Sequence, residues 1–129
     1  MIEYTIDEAQ HLIRVQMSGS NTFADLEQHY VDVYNDPKYN VTFNALFKVD
    51  PDAGGPLLEE MPKTRVLLEL VAESQKARKK WAVVISSGFK RSIVEFLLKD
   101  VHLKPVEMRF FGNERDALAW LGCPLLQHA

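Results

Sequence analysis

Trp81-Ala82-Val83-Val84-Ile85 is an unbroken apolar run of five residues between polar segments. A strand with one face in solvent alternates apolar with polar, so a short continuous run fits a strand covered on both faces. Helical patterns flank this run on either side, and no other feature restricts the fold as much. A strand set between two helices belongs to a largely parallel sheet. Before the run, about Lys63 to Lys79 carries Val66, Leu67, Leu70, Val71, Ser74 and Ala77 at helical spacing. After it, Ser86-Ser87-Gly88 turns the chain into a helix near Lys90 to Lys99, with an expected buried side of Ile93, Phe96 and Leu97.

The rest of the chain keeps the alternation. Ile2, Tyr4 and Ile6 alternate with Glu3, Thr5 and Asp7, and a second strand from about His11 to Met17 follows a polar turn, which predicts a hairpin. Thr22 and Asp25 form a capping-box start to a helix whose stripe is Phe23, Leu26, Tyr30 and Val33, and Asp36-Pro37 ends it. Val41 to Val49 reads as a third strand, and Val106 to Phe111 as the fifth. Asn113 caps a last helix with Ala117, Trp120 and Leu121, stopped by Gly122 and Pro124. The order is β-β-α-β-α-β-α-β-α. It predicts an α/β fold: one five-stranded, mostly parallel sheet with an antiparallel N-terminal edge hairpin and four helices.

At 129 residues, 47% of them hydrophobic, the chain is the size of one domain, and 1–129 is read as such. A net charge of −3 speaks against a nucleic-acid partner. No apolar run has the length of a membrane span, and Met1 to Thr5 has neither the basic start nor the apolar stretch of a signal peptide. Cys123 has no second cysteine to pair with. These features together predict a cytoplasmic protein.

Val106-Glu107-Met108-Arg109-Phe110-Phe111, a short gap, and then Asp116-Ala117-Leu118-Ala119-Trp120-Leu121 resemble the close of the bacterial SpoIIAA-like family. That family is related to STAS domains and to lipid-binding CRAL-TRIO (Sec14-like) domains. Lys79-Lys80 before Trp81, and the opening hairpin ending in Ser18-Gly19, fit the same family. The resemblance implies a small α/β domain, usually non-enzymatic, that binds partner proteins, a membrane surface or an apolar small molecule. STAS proteins under phosphate control carry a serine after the third strand. Here Val49-Asp50-Pro51-Asp52-Ala53-Gly54-Gly55 has no Ser or Thr, which argues against that switch.

No catalytic loop or metal motif is present, and the four histidines fall in separate elements, so no catalytic residue, metal or cofactor is expected. Cys123, in a Gly-Cys-Pro turn, reads as a small apolar residue, and Glu59-Glu60 as solvated loop carboxylates.

Charge is unevenly placed. Residues 1–64 hold 4 basic against 11 acidic side chains; residues 65–129 hold 11 against 7. Lys76, Arg78, Lys79 and Lys80 lie in an acid-free stretch. They read either as cations complementing a helix C-terminus or as a surface basic patch for anionic lipid or an acidic partner.

Ser86, Ser87, Gly88, Lys90 and Arg91 follow the end of an inner strand, where open α/β sheets bind ligands. They offer hydroxyls, N–H groups and cations to an anion, or else ordinary capping. Leu57, Leu58 and Met61, after Gly54-Gly55, form either a turn folded on the core or a lid over an apolar pocket. If both segments lie at one end of the sheet, they make an amphiphile site. The leading expectation is therefore a non-enzymatic domain binding an apolar or amphiphilic small molecule at a membrane surface. The alternative is a STAS-type regulatory module with a protein partner, and the exposed first strand offers an edge for a homodimer.

Overall fold

The computed structural model describes residues 1–54, 60–75, 77–99, 101 and 103–123. Its strands are β1 (Ile2–Asp7), β2 (Leu12–Met17), β3 (Asn44–Val49), β4 (Lys79–Ile85) and β5 (Val106–Phe111). The helices are α1 (Phe23–Tyr34), α2 (Met61–Ser74), α3 (Gly88–Leu98) and α4 (Glu114–Leu121). One sheet runs β1-β2-β3-β4-β5, with β1 antiparallel to β2 and every other pair parallel. This is the expected α/β architecture.

Strand pleating divides the core in two. Ile13, Val15, Ala45, Phe47, Trp81 and Val106 point to one face and pack with Leu26, Tyr30 and Val33 of α1 and Leu68, Val71 and Ala72 of α2. Leu12, Leu46, Ala82 and Val84 point to the other, against Ala117, Leu118 and Leu121 of α4. β4 is thus covered on both sides, as its unbroken apolar run requires. Leu12, Leu46 and Leu118 are fully buried, each contributing roughly 2–3 kcal/mol of burial.

Local signals set the element ends. Thr22 and Asp25 close a reciprocal capping box on α1. Asn113 caps α4, and Gly122 ends it at φ 77°, a left-handed conformation suited to glycine. His11 also has positive φ, at 54°, in the β1–β2 turn; its ring stacks on Phe43 with centroids 5.2 Å apart.

Three expectations need correction. α2 ends at Ser74, not near Lys79, and buries Thr64, Leu68, Val71 and Ala72, while Val66 and Leu70 are exposed. Polar residues take inner positions because their bonds are met internally. The Thr64 hydroxyl donates to the Glu60 carbonyl at 3.1 Å, and buried Gln75 donates through Nε2 to the Val71 carbonyl at 2.9 Å.

Lys79 and Lys80 belong to β4, so a helix dipole does not explain them. They cannot form one surface patch, because the strand points them to opposite faces. Lys79 is only 5% exposed; its ammonium donates to Gln75 Oε1 at 2.7 Å and lies 5.5 Å from the Tyr39 ring centroid. Burial lowers its pKa to about 8. Lys80 reaches the α4 side and donates to the Trp120 carbonyl at 3.0 Å. Arg78 is exposed, and Lys76 lies outside the described residues.

The third correction is α3, which has no fully buried residue. Phe89 is 80% exposed, Phe96 65% and Ile93 43%, so the side expected inside is largely the outer one.

Candidate functional site

α1, α2 and α3 lie over one face of the sheet without filling the space beneath. A cavity of about 280 Å³ remains between Leu26 and Tyr30 of α1, Met61, Thr64 and Leu68 of α2, and Val94, Leu97 and Leu98 of α3. Its floor is Phe47, Val83, Ile85, Met108 and Phe110. The lining is almost wholly apolar, and among the described residues Lys90 is the single charged one on it.

α3 lies close to the loop after β3 at the carboxyl end of the sheet. The Lys90 ammonium donates to the Ala53 carbonyl at 2.6 Å and the Pro51 carbonyl at 3.1 Å. Gly54 is itself held: its N–H donates to the Gly19 carbonyl at 2.8 Å, and the Asn21 backbone and side-chain amides both donate to the Gly54 carbonyl at 3.0 Å. Lower down, the Arg65 guanidinium donates to the Leu97 carbonyl at 3.4 Å, tying α3 to α2.

The structure divides the residues singled out in the sequence. Met61, in the first turn of α2, and Lys90 line the same cavity. Leu57 and Leu58 lie outside the described residues. The Ser87 hydroxyl is occupied as the α3 cap, accepting from Lys90 N–H at 3.2 Å. Ser86 and Gly88 are exposed. Arg91 turns away from the cavity, donating to the Ile85 carbonyl at 3.2 Å and pairing with Glu95 at 3.8 Å. The Arg91 guanidinium also fills the space beside Gly112, where a Cβ would lie 2.7 Å from it. Of the expected anion set, only Lys90 is on the cavity.

Several lining residues were not singled out as site residues in the sequence. Met108 and Phe110 are two apart on β5, and Val94, Leu97 and Leu98 follow Lys90 at helical spacing. Those periods mark a face of each element but not that the two faces enclose a space.

Elsewhere, Cys123 is buried, and burial holds its thiol above the usual pKa, as suits a packed residue. Asp50 accepts from Gln16, and Asp52 is exposed. Among the described residues no group of His, Cys, Asp and Glu is arranged to hold a metal ion, and no helix is long and apolar enough to cross a membrane.

No curated protein matches the chain. A crystal structure of an uncharacterised protein with a SpoIIAA-like fold, from Shewanella loihica PV-4, superposes with a TM-score of 0.60, covering 93% of each chain at 19% identity. Likeness at that identity concerns the fold alone. The sequence pattern of the SpoIIAA-like family matches residues 12–122, and with most of its length so matched, this chain belongs to the SpoIIAA-like family.

Proposed function

We propose that the domain binds an amphiphile, its apolar part in the cavity under α3 and its anionic end toward Lys90, at a membrane surface. The observation that carries this reading is an apolar space with one ammonium on its wall. At a liquid-like 30 Å³ per heavy atom, about 280 Å³ accommodates roughly nine such atoms. That is the size of a medium acyl chain. The outer stripe of α3 supports the membrane part, since Phe89, Ile93 and Phe96 stand exposed in a row and Lys99 lies 4.5 Å from the Phe96 ring centroid. Domains of this family are generally non-enzymatic, and no chemistry on the ligand belongs to the reading. The kinship to Sec14-like lipid binders suggested by the sequence enters only as part of this proposal.

Mass spectrometry of the native and then the denatured protein tests it. A small amphiphile released on unfolding, and lost in Val94→Trp, is the expected result. Chain mass alone, with no uptake of added medium-chain fatty acid, overturns the ligand reading. Pelleting with vesicles rich in anionic lipid tests the surface: Phe89→Ser/Phe96→Ser is expected to abolish it. A stoichiometric protein partner in place of lipid turns the function toward the STAS-type regulatory alternative.

A further inference from the structure

Among the described residues no strand pairs with the outer edge of β1 or of β5, and the two edges differ in charge. On β1 the charged residues are Glu3 and Asp7, both acids, so no register of β1 against itself makes an opposite-charge pair. The chain beside it adds acid, since Tyr4 OH donates to the Asp36 carboxylate just past α1 at 2.9 Å and to the carbonyl of Asp32 in α1 at 3.2 Å.

β5, at the other edge, reads Val106-Glu107-Met108-Arg109-Phe110-Phe111. Glu107 and Arg109 are exposed on the α4 side, where the Arg109 guanidinium lies 5.5 Å from the Trp120 ring centroid. Neither is in an ion pair among the described residues. Met108 and Phe110 point the other way, beside an open depression of about 810 Å³ whose lining is mixed, with Val101 and Leu103 beside Glu69, Glu73, Glu95, Lys99 and Lys104.

We propose that two copies of the chain join edge to edge through antiparallel β5 strands about a two-fold axis at Met108, giving one ten-stranded sheet. In that register Glu107 of each copy faces Arg109 of the other, forming two opposite-charge pairs on the α4 side. On the helix side Val106 faces Phe110, a β-branched residue against an aromatic, and Met108 faces itself. Shifting the axis by one residue sets Glu107 on Glu107 or Arg109 on Arg109, so charge selects a single register. The interface is isologous and closes at two copies, and it uses up an edge that otherwise invites uncontrolled pairing. Nothing in it depends on the cavity being occupied.

Sedimentation equilibrium of the whole chain at rising concentration tests the assembly. The protein is expected to form dimers by about 0.1 mM, as befits a small interface. Arg109→Glu and Glu107→Arg, each alone, place like charges together twice and are expected to weaken dimerisation roughly tenfold or more. Mixing the two variants restores both opposite-charge pairs in a heterodimer, so the mixture is expected to associate where each alone does not. A folding defect cannot produce that rescue. A monomeric wild type at 0.1 mM, single variants that dimerise like wild type, or a mixture that stays monomeric overturns the proposal.

Discussion

His29 places a titratable ring inside the larger core. It is 5% exposed, and its neighbours are Tyr30 on the same helix, Tyr4 of β1 and Phe47 of β3, with ring centroids 5.0, 5.9 and 6.2 Å away. Its Nδ1 has no hydrogen-bond partner among the described residues. Burial lowers the ring's pKa from 6.5 to about 4, only partly countered by Asp32. Between those values the unfolded chain holds a proton that the folded chain does not, so stability rises with pH across the window and falls on acidification. Full stability is present above about pH 6.5 and drains away toward pH 4. Linkage with these two values gives a loss of about 2 kcal/mol between pH 7 and pH 5. That is a large part of a typical 5–15 kcal/mol total. His29→Phe removes the proton site, so its stability is expected to be flatter by that amount over the same range, whatever the substitution costs at pH 7. Asp36 and Glu114 both have depressed carboxylate pKa values and add little slope above pH 5. Urea unfolding at pH 7 and pH 5, followed through the fluorescence of Trp81 and Trp120, measures both proteins. Equal losses in wild type and variant would refute the assignment of the acid slope to His29.

Lys79→Met is expected to stabilise the fold at neutral pH, because the ammonium is buried against Gln75 and Tyr39 with no carboxylate bonded to it among the described residues; thermal melts read the change. The wild type's disadvantage shrinks as pH rises from about 8 toward 10.5, since the folded protein then carries the neutral amine while the unfolded chain still binds the proton. Asn113→Ala removes the α4 cap, whose side-chain oxygen accepts from Asp116 N–H at 2.9 Å, and should cost about 1 kcal/mol in urea unfolding.

The strands were the most legible part of this chain because their evidence is local. Period-2 alternation, an unbroken apolar run and capping residues placed β1, β4, β5 and α4 within a few residues. Reading the helix faces failed where burial depended on partners far away in sequence. Thr64 and Gln75 look like surface residues until Glu60 and Val71 accept their hydrogens. Lys79 looks like a surface charge until Gln75, and Tyr39 from before β3, receive its ammonium. Lys90 was legible as a cation at the right end of the sheet. That it shares one wall with Met61 follows from the parallel pairing of β3 and β4, which the alternation of elements had implied. Arg91, one residue on, faces the ends of β4 and β5 instead, a difference set by the helical turn of about 100° per residue.

α3 is the element whose packing the sequence described least well, and its hold on the sheet is correspondingly slight. Eleven residues are too few for an independent helix, so tertiary contacts must sustain it. No α3 residue is fully buried, the described residues leave the space beneath it unfilled, and its ties include Lys90 to the Pro51 and Ala53 carbonyls and Arg65 to the Leu97 carbonyl. Opening α3 alone therefore exposes little apolar surface beyond what is already exposed, whereas opening β3 or β4 breaks both core layers. Amide hydrogen exchange is expected to rank the elements accordingly, with α3 exchanging well before β2, β3 and β4. Lys90→Met, which removes the two carbonyl bonds without emptying the core, should accelerate exchange in α3 and around 51–54 and leave the central strands unchanged. Equal protection of α3 and β4 would mean that α3 is packed as firmly as the sheet, and the slight contact inferred from its burial would be the wrong measure of its stability.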